Sequence, residues 1–246
     1  YELRSAQPEF RGLSFGTIAG YGANGAIVHY APSASQCAEL RESSFLLVDS
    51  GGQYLGGTTD ITRTIPLGEV PGSYRRDYTL VLQAFIRLHS ARFPEGCTGK
   101  SLDVLSRQVM WDNYLDYKHG TGHGVGCFLN DHEGPTNFSN ARVPMEEGMV
   151  ISIEPGIYRT GMLGVRTENL VTVVRDKRSD EFGQFFRFEP LTLCPINTQA
   201  IELKMLSRSE VSWLNQYHSY VFEQLSPMLE PEERKWLGNA TAPLHI

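Results

Sequence analysis

Apolar positions in the first two thirds of the chain come in short runs broken by glycine. Phe45-Leu-Leu-Val48 is a continuous apolar run that fits a buried strand. Gly51-Gly52 and Gly56-Gly57 punctuate it, and Ile61-Thr-Arg-Thr-Ile65 then reads as a second strand. Met149-Val-Ile-Ser-Ile153 and Leu170-Val-Thr-Val-Val174 form a similar pair around Gly161 and Gly164. Three segments have helical spacing. Tyr74, Tyr78, Val81, Leu82, Phe85 and Leu88 make one apolar face, which predicts a helix from Tyr74 to Phe93. Leu102, Leu105, Val109 and Trp111 predict a second from Ser101 to Leu115. Ser207-Arg-Ser-Glu210 is a capping box that opens a third, running to about Leu225 before Pro227. Strands, helices, strands and a helix in that order predict an α+β class. No polar linker divides the chain, so residues 1–246 are expected to form one domain.

Composition adds few constraints. Hydrophobic residues make up 41% and charged residues 20% of the 246, an ordinary globular balance. The formal charge of −6 argues against a nucleic-acid partner recruited by phosphate neutralisation. No apolar run approaches the ~20 residues that span a bilayer, so no membrane partner is expected. Cys37, Cys97, Cys127 and Cys194 lie far apart, which fits reduced thiols in a cytoplasmic protein.

Some motifs fail on their surroundings. Gly20-Tyr-Gly22-Ala-Asn-Gly25 matches a dinucleotide fingerprint, but Ala26-Ile-Val-His29 follows and reads as a strand where a helix is needed. His132-Glu133 begins a zinc-protease motif, yet position 136 is Thr.

One constellation carries chemistry. Asp49 ends the Phe45–Val48 strand and Asp60 precedes the next. Glu154 ends the Met149–Ile153 strand and Glu168 precedes its partner, again across a glycine-bearing turn. Each acid alone also reads as a turn or cap residue. Together, two hairpins would deliver two pairs of carboxylates to one point, where they could not all stay ionised without cations. His123, in His119-Gly-Thr-Gly-His123-Gly-Val-Gly126, sits on a backbone that can approach closely. Four carboxylates and an imidazole suit Mn²⁺, Co²⁺ or Fe²⁺ better than a structural zinc.

These motifs resemble a family. Asp49-Ser-Gly-Gly, Thr59-Asp60-Ile-Thr-Arg63-Thr64, the His119–Gly126 run, Glu154-Pro-Gly and Arg166-Thr-Glu168-Asn are similar to those of the pita-bread metallopeptidases. Phe10-Arg-Gly-Leu-Ser-Phe15, His29-Tyr-Ala-Pro32, Leu115-Asp-Tyr-x-His119, Phe128-Leu-Asn-x-His132-Glu-Gly-Pro135, Phe188-Glu-Pro-Leu-Thr-Leu193 and Trp213-Leu-Asn-x-Tyr-His218 narrow the resemblance to X-Pro aminopeptidases of the eukaryotic cytosolic type.

The resemblance implies a fold with pseudo-twofold halves and a curved antiparallel sheet backed by helices. It also implies two divalent ions, Mn²⁺ first, with Co²⁺, Fe²⁺ or Zn²⁺ as alternatives. Asp49, Asp60, His123, Glu154 and Glu168 would be the ligands, and Asp60 and Glu168 would bridge. Glu154 would also shuttle the proton between the attacking water and the leaving nitrogen. His132 would bind the substrate carbonyl, and His29 and His119 would shape the pocket for a peptide with proline second. Arg63 and Arg166 lie beside ligands and would either steady the ligand carboxylates from behind or form ordinary surface salt bridges. Family habit implies a homodimer, for which Trp111 reads equally as an exposed anchor or a core aromatic. Asp49 stands unusually near the start, so the catalytic domain is expected to be truncated at its N-terminus. A prolidase-like dipeptidase and a non-catalytic binding module are the alternatives.

Overall fold

The computed structural model describes residues 1–35 and 37–246, residue 179 by its backbone alone. A short helix α1 (Glu2–Ser5) leads into β1 (Phe10–Leu13) and β2 (Ile18–Tyr21). Then come β3 (Ser44–Ser50), β4 (Gly52–Tyr54), β5 (Gly57–Thr58) and β6 (Ile61–Leu67). Helix α2 (Gly72–His89), β7 (Arg92–Pro94) and α3 (Gly99–Trp111) form the middle. The second half has β8 (Val150–Ile153), β9 (Gly156–Arg159), β10 (Leu163–Arg166), β11 (Asn169–Asp180) and β12 (Gly183–Pro190). Helices α4 (Arg208–Leu225) and α5 (Pro231–Ala240) close the chain.

All the strand pairs are antiparallel, in the orders β1-β4-β5, β2-β3-β6, β10-β9 and β7-β12-β11-β8. Together they make the curved half-barrel of an α+β fold, backed by helices. The expected strand pairs form: β3 lies against β6 with Asp49 opposite Thr62, and β8 against β11 with Ile153 opposite Asn169. The core lies between sheet and helices. Tyr78, Val81, Leu82, Phe85 and Leu88 of α2 are buried with Leu102 and Met110 of α3 and Leu214 and Val221 of α4.

Four expectations need correction. Helix α2 stops at His89, and Phe93 belongs to β7, where it pairs with Phe186. Its apolar side chain continues the buried face, so periodicity alone could not see the helix end. Helix α3 ends at Trp111 rather than Leu115. Residues 26–29 are not a strand: a 3₁₀ turn spans Gly22–Ala26 and a bend follows. The glycines there serve packing, since a Cβ on Gly164 would stand 1.7 Å from the Gly25 carbonyl oxygen. Finally, Glu154 and Glu168 are not joined by a simple turn, because the β9–β10 hairpin lies between them.

Candidate metal centre

Strand alternation delivers the first two acids. In β3 the buried positions are Phe45, Leu47 and Asp49, so Asp49 faces inward by the same register that buries the apolar pair. Asp60 lies two residues before Thr62 and four before Thr64, which are the inward positions of β6. Glu168 leads into β11 and Glu154 follows β8.

The two halves are stitched at this point by side-chain hydroxyls. Thr62 Oγ1 donates to Glu168 Oε2 at 2.7 Å and accepts from Arg166 Nε at 3.0 Å. Thr64 Oγ1 donates to the Arg166 carbonyl at 2.9 Å and accepts from the Arg166 N–H at 3.0 Å. The Glu168 N–H donates to Thr62 O at 3.1 Å.

His123 reaches the same point on a loop that only glycine permits. A Cβ on Gly122 would sit 1.8 Å from Ser152 O, and one on Gly124 would sit 2.2 Å from Glu133 O. Bare backbone lets the Ser152 N–H donate to His123 O and the Glu154 N–H to Thr121 O, both at 2.8 Å. The His123 ring is set by its neighbour: Nδ1 stands 3.0 Å from Gly124 O, an acceptor, so Nδ1 carries the proton. Nε2 is left free, 3.6 Å from Asp60 Oδ2 and 3.5 Å from Glu154 Oε1.

Crowding of anions in a buried place shifts their protonation. Burial, then Asp49, Asp131 and Glu154, push Asp60 up to about 9. Burial raises Glu154 to about 7, against the pull of His123 and Arg166. Burial and then Asp60 hold Glu168 well above its ordinary value. Asp49 Oδ1, Asp60 Oδ1 and Glu168 Oε1 are buried without a hydrogen-bond partner. Unpaired buried acceptors are costly, and a divalent cation satisfies several at once. Ligand atoms of Asp60, His123 and Glu168 lie within 4.8 Å of one another. Four carboxylates and one imidazole therefore fit hard-to-borderline metal ions, on the chemistry of the donors as well as on their placement.

The cleft over this cluster holds about 690 Å³ and includes His29, His119 and His132 on its walls. His119 is the most constrained of the three. Its Nδ1 stands 2.7 Å from Gly120 O and so donates, leaving Nε2 to accept from Tyr158 Oη at 2.8 Å. Burial pushes it down to about 4, which keeps it neutral. His132 is exposed and stacks on the His123 ring at 3.6 Å. His29 is exposed at the rim.

The two arginines separate. Arg166 is buried and donates from Nη2 to Asp49 Oδ2 at 2.6 Å and from Nη1 to Tyr158 Oη at 2.9 Å. Arg63 touches no carboxylate: its guanidinium binds the carbonyls of Thr62, Glu168, Cys194 and Pro195, the Asn169 side-chain oxygen and Tyr217 Oη. It ties the backbone behind the ligands rather than their charges. Trp111 is 51% exposed, which removes its reading as a core aromatic.

Sequence reasoning missed three contributors. Tyr158 links His119 to Arg166, Thr62 orients Glu168, and Asp131 places a further carboxylate on the cleft wall. Asp131 stands directly before His132, and that adjacency was the available signal. Burial is the main cause that pushes it up to about 6, with Asp49 adding to it.

Comparison with known proteins agrees with this geometry. Residues 1–175 match the model of metallopeptidase family M24, and residues 184–244 match that of the C-terminal region of peptidase M24. A probable Xaa-Pro aminopeptidase P of Tuber melanosporum is 44% identical over 251 residues, covering 99% of this chain and 40% of that protein. Aminopeptidase P1 of Lotus japonicus is 44% identical over 249 residues, 99% of this chain and 38% of that protein. The chain thus spans about 40% of the length of these curated relatives. Among solved structures, X-prolyl aminopeptidase from Caenorhabditis elegans, described as a cytosolic enzyme with a di-nuclear active site, superposes with a TM-score of 0.95 at 38% identity, covering 99% of this chain and 40% of that one. Prolidase from Pyrococcus furiosus gives 0.61 at 35% identity, over 73% of this chain and 49% of that one. With its strand pairs and carboxylates arranged in this way, the chain belongs to metallopeptidase family M24.

Proposed function

We propose that the chain carries the catalytic centre of a dinuclear, metal-dependent aminopeptidase that removes the N-terminal residue from peptides with proline second. The observation that carries the reading is the convergence of Asp49, Asp60, Glu154, Glu168 and His123 on one buried point, with three carboxylate oxygens lacking partners. The relatives named as aminopeptidase P support the substrate class.

In this reading Asp49 and Asp60 would hold one ion, and His123, Glu154 and Glu168 the other. Bound there, a pair of divalent ions supplies Lewis acidity and lowers the pKa of water. Mn²⁺ is the proposed native metal, with Co²⁺, Fe²⁺ or Zn²⁺ as alternatives. Glu154 would take a proton from the attacking water and return it to the leaving nitrogen. That nitrogen is the tertiary amide of proline and has no N–H of its own to offer. His132, on the cleft wall, would donate to the substrate carbonyl oxygen as charge develops on it. Neutral His119, fixed by Tyr158, and His29 at the rim position the peptide.

Arg166 steadies Asp49 directly, and Arg63 holds the backbone of the ligand-bearing strands. Among the described residues no helix is long and apolar enough to cross a membrane. With a neighbour described as cytosolic, a cytoplasmic location is proposed. The exposed Trp111 on α3 supports a homodimer, which sedimentation as a single-chain mass would contradict.

The test is substrate length. The purified protein loaded with Mn²⁺ is expected to release arginine from Arg-Pro-Pro. Cleavage of X-Pro dipeptides with the tripeptide untouched would favour a prolidase-like dipeptidase. No cleavage and no bound metal would favour a binding module.

A further inference from the structure

Two sets of side chains compete for one imidazole nitrogen. His123 commits its Nδ1–H to Gly124 O, so Nε2 is the only lone pair it can offer. On one side lie Asp60 and Glu168, already placed in the proposed metal pair. A second set is Asp131 and His132, whose ligand atoms also fall within 4.8 Å of each other and of His123, with the Asp131 carboxyl in hydrogen-bond reach of Asp60. Asp131 Oδ1 is buried without a hydrogen-bond partner, and its Oδ2 stands 3.9 Å from His132 Nε2. A carboxylate oxygen shut away from water with no donor marks a place where something is still to bind.

We propose that His123, Asp131 and His132 form an alternative divalent-cation position, suited to zinc, that cannot be filled together with the ion bound by Asp60, His123 and Glu168. Two imidazoles and one carboxylate are a borderline donor set of the kind zinc takes at open sites. The oxygen-rich alternative favours manganese. A single lone pair serves one ion, so an ion at the new position takes the only nitrogen of the metal pair.

His132 is the adjustable ligand. Its ring lies 18° from parallel to that of His123 at 3.6 Å, so the in-plane lone pairs of the two rings run side by side rather than converge. Its side chain is 69% exposed and can turn to meet an ion. Doing so withdraws His132 from the substrate carbonyl. Zinc at this position would therefore inhibit twice, by taking His123 from the pair and His132 from the substrate. That consequence rests on the proposed function; the binding position does not.

The experiment adds zinc sulfate to the manganese-loaded protein and reads metals rather than turnover. X-ray absorption at the zinc edge is expected to count two imidazoles, where the metal pair contains one. Manganese resonance is expected to show one ion released per zinc bound. Asp131→Asn and His132→Gln are each expected to weaken zinc binding by about tenfold or more, with manganese loading unchanged. Zinc bound by one imidazole, or with equal affinity in wild type and both variants, would overturn the proposal. A protein that takes up no manganese would sink the metal-pair reading instead. Zinc affinities of the manganese-free wild type and Asp131→Asn would still decide this one.

Discussion

Arg166 Nη2 donates to Asp49 Oδ2 at 2.6 Å, and both side chains are shut away from water. The same guanidinium reaches Thr62 and Tyr158, so it orients one candidate ligand directly, Glu168 through Thr62 and His119 through Tyr158. Removing it leaves an uncompensated buried carboxylate. Arg166→Ala is expected to lower the unfolding free energy by about 3–5 kcal/mol in urea. Arg166→Lys keeps the charge but not the planar fork and is expected to fall between. A loss within about 0.5 kcal/mol, the range of an ordinary surface substitution, would contradict the assignment.

Glu154 is asked to move a proton as well as hold metal. Glu154→Gln keeps the shape and removes the base. Turnover is expected to fall by a factor on the order of 10²–10⁴, with the circular dichroism spectrum unchanged. Near-normal kcat would remove Glu154 from the proton path.

The His123 loop is built on backbone contact that a methyl group blocks. Gly122→Ala would force the Ser152 carbonyl away and is expected to cost about 1–3 kcal/mol, as overpacking does. Thermal denaturation with and without Mn²⁺ checks it, and the metal-dependent rise in Tm should shrink. A variant with wild-type Tm and wild-type metal response would show that the close approach is not needed.

Crowded carboxylates give the metal-free chain an unusual pH response. Asp60 keeps its proton to about 9 when folded but only to its ordinary value of 3.8 when unfolded. The folded state therefore binds more protons between those values, and stability falls as pH rises through them. Buried His119, pushed from 6.5 down to about 4, opposes this only below pH 6.5. From pH 6.5 to 9 the metal-free chain is expected to lose urea resistance steadily. Saturating Mn²⁺ should reverse the slope, because cations bind the deprotonated carboxylates. A flat or rising midpoint without metal would contradict the burial of these acids.

Much of this was legible because it rests on local rules. Ser207 and Glu210 form the capping box that opens α4, and the register of Phe45 and Leu47 carries Asp49 inward. What escaped was tertiary. Helix α5 buries only Leu237, so its apolar signal is weak, and its cap is Glu230 rather than Ser. Phe93 looked helical because a buried strand and a helix face share its chemistry. Arg63 sits beside a ligand in sequence, yet all its partners except the Thr62 carbonyl lie more than 100 residues away, which no local pattern reveals. Asp131 has no periodic or motif signal of its own, and only the fold brings it to His123.

The central claim is that two ions sit among Asp49, Asp60, Glu154, Glu168 and His123. Anomalous diffraction from crystals of the protein grown with Mn²⁺ tests it most directly. The expected result is two anomalous peaks roughly 3.5–4 Å apart between the four carboxylates. A map with no peak there, or with one ion away from Asp60 and Glu168, would contradict it.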